Sequence, residues 1–205
     1  MDKFVDDYIS RFISSINSIE VSDNNGNQIT FVEGIKKVKK MILEIQRNKI
    51  IMVGNGGSAS ICSHQTIDYW KNGGIKSLCF NDSSLLTCLS NDFSFEEVFS
   101  KSIEFFADEN DIVYCISSSG NSKNIENAAI SSIKKGCKLV TFSGFDSDNR
   151  IRNIGDVNFY VPSNSYGFVE TIHTLISHLI LDSKLYLDDK IDIFNKNKKI
   201  TNENL

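Results

Sequence analysis

The feature that most restricts the fold of this chain is an alternation, over residues 48–188, of short apolar runs with helix-periodic stretches. KIIMVG, SLCF, DIVYCISSSG, KLVTFSG and VNFYVP are apolar at consecutive rather than alternate positions, which is how strands buried on both faces read. Between them lie stretches with helical periodicity, such as SICSHQTIDYWK. Repeated strand-helix units build a parallel sheet covered by helices on both sides. The expectation is therefore α/β, a three-layer sandwich around a five-stranded parallel sheet.

Ahead of this core, apolar residues recur at Phe4, Val5, Tyr8, Ile9, Phe12, Ile13 and Ile16, the spacing of an amphipathic helix. SDNNGNQ reads as the polar turn that ends it. A second helix is expected from Thr30 to Arg47, with Thr30 as cap and Glu33 as its capping-box partner. The last helix is expected over Tyr166–Tyr186. With no internal repeat or linker, a single domain is expected over 1–195, comprising two N-terminal helices (1–47) and the strand-helix core (48–188). The tail over 196–205 is polar enough to be left disordered.

Composition enters through what it excludes. The net charge is −4, and Lys and Arg are scattered among Asp and Glu, so there is no basic face to draw nucleic acid or an anionic membrane. No apolar run approaches the roughly 18 residues that span a bilayer. MDKFVDDYISRF is acidic where a signal peptide is basic, so a cytoplasmic protein is expected. The five cysteines, Cys62, Cys79, Cys88, Cys115 and Cys137, lack the close pairing of metal or redox motifs and are expected to be buried thiols. Tyr69, Trp70 and Phe93 are expected to pack, and SFEEVFSKSIEFF reads as a helix that buries its aromatics.

Ligands of open parallel sheets bind at the carboxyl ends of the strands. Two loops there carry suitable chemistry. G-N-G-G-S (Gly54–Ser58) lets backbone approach a ligand closely and leads into a helix whose first N–H groups attract anions. S-S-S-G-N-S (Ser117–Ser122) adds hydroxyl donors and a second helix start. Either loop alone reads equally well as a turn. Together they form a phosphate cradle without arginine, and neither matches a Walker loop or a GxGxxG fingerprint.

The three histidines fall on two helices. His64 and Asp68, four apart, share a face one turn beyond the first loop. His173 and His178 lie on the last helix, with Glu170 three residues before His173. His173 points away from His178 on an ideal helix and is expected to pack.

These motifs, in this order, resemble the sugar isomerase domain family and, within it, the phosphoheptose isomerases: G-N-G-G-S-A (Gly54–Ala59), N-D-F (Asn91–Phe93), S-S-S-G-N-S, and E-T-I-H-T-L-I-S-H (Glu170–His178). The resemblance covers nearly the whole chain and implies a flavodoxin-like fold of the sugar isomerase type. It also implies conversion of sedoheptulose 7-phosphate to D-glycero-D-manno-heptose 7-phosphate through an enediol, toward bacterial lipopolysaccharide or capsule, in a homotetramer with shared active sites. It assigns substrate contacts to Asn55, Gly56, Gly57, Ser58, Ser117, Ser118, Ser119, Ser122 and Glu170, with Asp92 approaching the sugar hydroxyls. It assigns acid-base roles to Asp68 and His178, and a zinc site to His64, Asp68, Glu170 and His178.

The chain departs from the family pattern in three places. Asp68 stands for Glu, Glu170 for Gln, and Asn72 for an Arg. Two imidazoles and two carboxylates remain zinc ligands. Glu170 and His178 are separated by about 12 Å of helix rise, so one ion is reached only if both side chains lean toward it or a second subunit contributes. The competing reading is a sugar-phosphate-binding or regulatory protein of the same fold, or an isomerase of another sugar phosphate.

Overall fold

The computed structural model describes residues 2–45 and 47–188; the tail expected over 196–205 lies outside the described residues. Helix α1 (Asp2–Asn17), strands β1 (Glu20–Asp23) and β2 (Gln28–Ile29), and helix α2 (Phe31–Glu44) precede the alternating core. The core runs β3 (Ile50–Gly54), α3 (Gly57–Lys71), β4 (Ser77–Cys79), α4 (Ser83–Asp92), a 3-10 turn at Phe95–Glu97, α5 (Val98–Phe106), β5 (Ile112–Ile116), α6 (Lys123–Lys134), β6 (Lys138–Gly144), β7 (Val157–Val161) and α7 (Tyr166–Leu187).

The sheet has seven strands in the order β2-β1-β7-β6-β5-β3-β4, which corrects the expected five-stranded parallel sheet. Strands β3 to β7 are mutually parallel, but β1 pairs antiparallel with β7 and with β2. The segment read as a polar turn is a hairpin. Asp23 accepts hydrogen bonds from the N–H groups of Asn25 (2.9 Å) and Asn27 (3.0 Å), which closes it. Asn158 on β7 then fastens β1, donating to the carbonyls of Ser22 and Asp23 at 3.4 Å. The leading helices therefore do not form a unit of their own, because a two-stranded extension of the sheet separates them.

Period-two alternation divides the strand side chains between two cores. Ile50, Met52, Ile112, Tyr114, Val140, Phe142 and Phe159 face α2, α3 and α7. Ile51, Val53, Val113, Cys115 and Leu139 face α5 and α6. On α7 the buried positions Val169, Ile172, Ile176 and Ile180 recur at three-and-four spacing, and Ala128 and Ala129 let α6 lie close to the sheet. Helix α2 starts on the expected capping box: Thr30 Oγ1 accepts from the Glu33 N–H (3.2 Å) and Glu33 accepts from the Thr30 N–H (2.8 Å), worth about 1 kcal/mol.

Some packing expectations are corrected. Phe99 and Tyr69 are buried, but Trp70, Phe93, Phe95, Phe105 and Phe106 are more than half exposed. Of the cysteines, Cys88 is exposed and Cys79 intermediate. Among the described residues no helix is long and apolar enough to cross a membrane.

For function the decisive feature is the crossover between β3 and β5. From β3 the chain proceeds through α3 to β4 at one edge, whereas from β5 it proceeds through α6 toward β7 in the other direction. Helices α3 and α6 consequently cover opposite faces, and their connecting loops part above the carboxyl ends of two adjacent strands. That is where open α/β sheets bind ligands.

Candidate active site

The loops after β3 and β5 enclose a cavity of about 240 Å³ lined by Asn55, Gly56, Gly57, Ser58, Ser117, Ser118, Ser119, Ser122, Tyr166 and Glu170. Gly56 sits at φ +54°, ψ −121° just before α3, a conformation open to glycine and strained for other residues. It turns the chain without offering a capping side chain. Helices α3 and α6 both start with no side-chain cap, whereas α2, α4 and α7 are capped by Thr30, Asp82 and Ser165. Ser122 is placed to cap α6 but instead accepts from Ser117 Oγ at 3.4 Å. The Ser118 hydroxyl is buried with no hydrogen-bond partner. Uncapped helix starts, the buried Ser118 hydroxyl and neighbouring serines converge on one cavity, an arrangement chemically suited to an anion.

Two residues that the sequence did not single out complete this region. Asn124, in the first turn of α6, exchanges reciprocal hydrogen bonds with Asn55 at 2.8 and 2.9 Å, tying the two loops together. Tyr166 lines the cavity and packs edge-on against Phe145. Neither carried a local signal, because each becomes relevant only through the loop it meets.

A second cavity, about 560 Å³, adjoins the first and is lined by Gly57, Ser60, Ile61, Glu170, Thr171, Thr174, Leu175 and His178. One of these lining residues, His178, belongs to a trio. His64 Nε2 is 3.0 Å from Asp68 Oδ2, and His178 Nδ1 is 3.9 Å from the same oxygen. One ligand atom from each of the three lies within 4.8 Å of the others. Two imidazole nitrogens and a carboxylate oxygen fit a three-ligand zinc site with an open position. Glu170, the fourth residue of the expected ligand set, is outside this group of three; it stands two turns before His178 on α7 and lines both cavities. Asp68 lines neither cavity, and its second oxygen accepts from Asn72 Nδ2 at 3.3 Å. Asp92 also lines neither; at the exposed end of α4 it accepts from Asn91 Nδ2 at 2.9 Å.

The trio depends on how α3 meets α7. Tyr69 Oη donates to the Ser177 carbonyl (3.0 Å) and Ser177 Oγ donates to Gln65 Oε1 (3.0 Å), all three residues being fully buried. Gln65 and Tyr69 each follow a trio residue by one position, and Ser177 precedes the third. Burial pushes the Tyr69 phenol up to about 12, so it remains a donor. The sequence carries a faint signal of this in two polar residues, Gln65 and Ser177, among the buried positions of α3 and α7.

His173 is fully buried, and its Nε2–H donates to the Ser143 carbonyl at 3.1 Å. Burial pushes its pKa down to about 4, so it is a neutral packing group. Burial likewise raises the Cys62 and Cys115 thiols, leaving them protonated.

No family model matches the chain. A phosphoheptose isomerase from Sulfurimonas denitrificans is 34% identical over 190 residues, covering 89% of this chain and 94% of its own. Among solved structures, a phosphoheptose isomerase from Neisseria gonorrhoeae superimposes with a TM-score of 0.77 at 24% identity, over 89% of this chain and 98% of that one. The Vibrio vulnificus NanR protein complexed with ManNAc-6P superimposes at 0.62 with 14% identity, over 91% of this chain and 62% of its own. The same sandwich thus occurs in proteins of different names, and fold alone does not fix function. The sequence identity along nearly the full length does discriminate, and on that ground the chain belongs to the phosphoheptose isomerase family.

Proposed function

We propose that this protein interconverts sedoheptulose 7-phosphate and D-glycero-D-manno-heptose 7-phosphate, supplying heptose for a bacterial lipopolysaccharide or capsule. One observation carries the reading beyond family membership. The uncapped, serine-lined cavity shares Gly57 and Glu170 with the cavity that His178 lines, so an anion-binding site is continuous with one member of the ionisable trio. Nothing in a turn-forming loop requires that continuity.

In this reading the phosphate lies among Asn55, Gly56, Gly57, Ser58, Ser117, Ser118, Ser119 and Ser122, accepting from N–H groups and hydroxyls. The sugar extends toward His178. Aldose-ketose isomerisation removes a proton from the carbon beside the carbonyl, forms an enediol, and returns the proton to the neighbouring carbon. His178 and Asp68 form the acid-base pair, with Asp68 3.9 Å from His178 Nδ1 and holding His64 at 3.0 Å. His64, Asp68 and His178 would hold zinc, which when bound polarises the carbonyl and enediolate oxygens.

We further propose a single domain over 1–195, acting in the cytoplasm as a homotetramer whose subunits complete one another's sites. Asp92, which lines neither cavity of its own chain, would reach the sugar from a neighbour. Helix α1 supports the assembly: it buries no residue of its own, and Phe4, Val5, Tyr8, Ile9 and Ile13 are 44–70% exposed. Light scattering measures the assembly directly.

The test of function is NMR observation of sedoheptulose 7-phosphate with the protein, with added zinc, and after chelation. Formation of the aldoheptose phosphate establishes the reaction. Binding without turnover under all three conditions sinks it in favour of a sugar-phosphate-binding protein.

A further inference from the structure

Glu170 is a carboxylate in a cavity otherwise built to receive an anion. The residues lining that cavity include no lysine or arginine to offset it. Among the described residues its carboxylate has no hydrogen-bond or ion-pair partner. Its position is nevertheless well defined. A Cβ placed on Gly57, the first residue of α3, would lie 2.4 Å from each carboxylate oxygen of Glu170. The carboxylate therefore rests on the first turn of an uncapped helix, where the helix dipole favours negative charge. Ser118, 6% exposed and with an unpartnered hydroxyl, lines the same cavity.

Two other roles fit less well. For a metal ligand, Glu170 falls outside the His64, Asp68 and His178 group. A structural ion pair would need a cation, and the lining residues of both cavities include no lysine or arginine.

We infer that the Glu170 carboxylate is an internal anion that occupies the phosphate cradle of the free protein and must be displaced by the phosphate of the substrate. This rests on the proposed cradle. Like charges in one site disfavour each other, so Glu170 lowers affinity for a phosphate dianion and raises the demand on the rest of the substrate. The larger cavity, which Glu170 also lines, gives the displaced side chain room to turn toward His178. Glu170 is in this way a specificity determinant. Free phosphate, with nothing to offer the second cavity, is held weakly, and a phosphate carrying a polyol chain recovers the loss through contacts there.

The experiment is calorimetric titration of inorganic phosphate into the chelator-treated full chain, for wild type, Glu170→Gln and Glu170→Ala. Both variants remove the charge, and the first keeps the shape. The expected result is at least about tenfold tighter phosphate binding by both variants, or about 1.4 kcal/mol. Phosphate binding by wild type that is as tight as, or tighter than, binding by both variants overturns the role of Glu170 while leaving the cradle standing. Absence of binding by all three proteins overturns the cradle and this inference together.

Discussion

At the amino end of the parallel sheet the fully buried carboxylate of Asp111 accepts from Asn48 Nδ2 (3.1 Å), the Lys49 N–H (2.9 Å) and the Asp108 N–H (2.8 Å), with Lys49 Nζ at 2.7 Å. At the carboxyl end, among the described residues, the Ser118 hydroxyl is buried without a partner, α3 and α6 begin without a side-chain cap, and the Glu170 carboxylate is unpaired. Folded proteins satisfy nearly all buried polar groups, and leaving one unmade costs about 1–3 kcal/mol. One end of β5 is thus closed by its own side chains, whereas the other is held open for donors and acceptors from outside. The contrast separates residues that hold the sheet together from residues that wait for a ligand.

The sharpest way to break the contrast is to mutate both ends and measure turnover and stability separately. His178→Ala is expected to lower kcat by about 10²–10⁴ while the urea midpoint hardly moves, since its side chain is 36% exposed. A large loss of stability instead would mean that the trio holds the fold. Asp111→Ala should do the opposite, costing about 3–5 kcal/mol of stability because it removes the buried acceptor of the Lys49 and Asp108 N–H groups and leaves Lys49 Nζ paired with the exposed Asp108 alone, with normal turnover by the folded fraction. An unchanged urea midpoint would remove the amino end from the comparison.

Between these extremes lies His173, which packs under the site without entering it. Its folded pKa is held at about 4 by burial, against an ordinary value of 6.5. The unfolded chain therefore takes up the proton first as pH falls. The stability contribution is complete above about pH 6.5 and is lost progressively down to about pH 4, roughly 3 kcal/mol in all. Urea titrations across that range should show the slope, and His173→Gln should flatten it. The smallest expected effect is that of Ser177→Ala, about 1–3 kcal/mol, because it leaves Gln65 Oε1 buried and unpaired. Its informative readout is zinc affinity. A weakened site with both imidazoles intact would show that the α3–α7 fastening positions the trio.

Much of this arrangement was legible in the chain. KIIMVG and DIVYCI are strands because consecutive Ile, Val and Met residues suit burial on both faces, and the Gly and Ser runs that follow them are the loops of the cavity. His64 and Asp68 share a face because they are four apart, and that spacing is local. The hairpin was hidden because β1 has four residues, of which Val21 alone is a buried apolar side chain; its pairing is supplied by β7, more than 130 residues away. Asp92 looked like a site residue from its motif, yet in its own chain it faces neither cavity. Glu170 was expected with the metal ligands, and its contact with Gly57 sets its carboxylate beside the serine-lined cavity, a placement that only the packing of α7 on α3 shows.

By itself the sequence determined the local matters: which segments are strands and helices, where the capping box falls, and which residue types could receive a phosphate or carry a proton. These follow from periodicity and side-chain chemistry within a few residues. The tertiary structure alone decided which of those groups meet. The order in which strands pair sends α3 and α6 to opposite faces, and the buried bonds of Tyr69, Gln65 and Ser177 set α3 against α7 so that His178 joins His64 and Asp68. Contacts of that kind join residues about a hundred positions apart, and their geometry is fixed by packing of the whole core rather than by any neighbour in the chain.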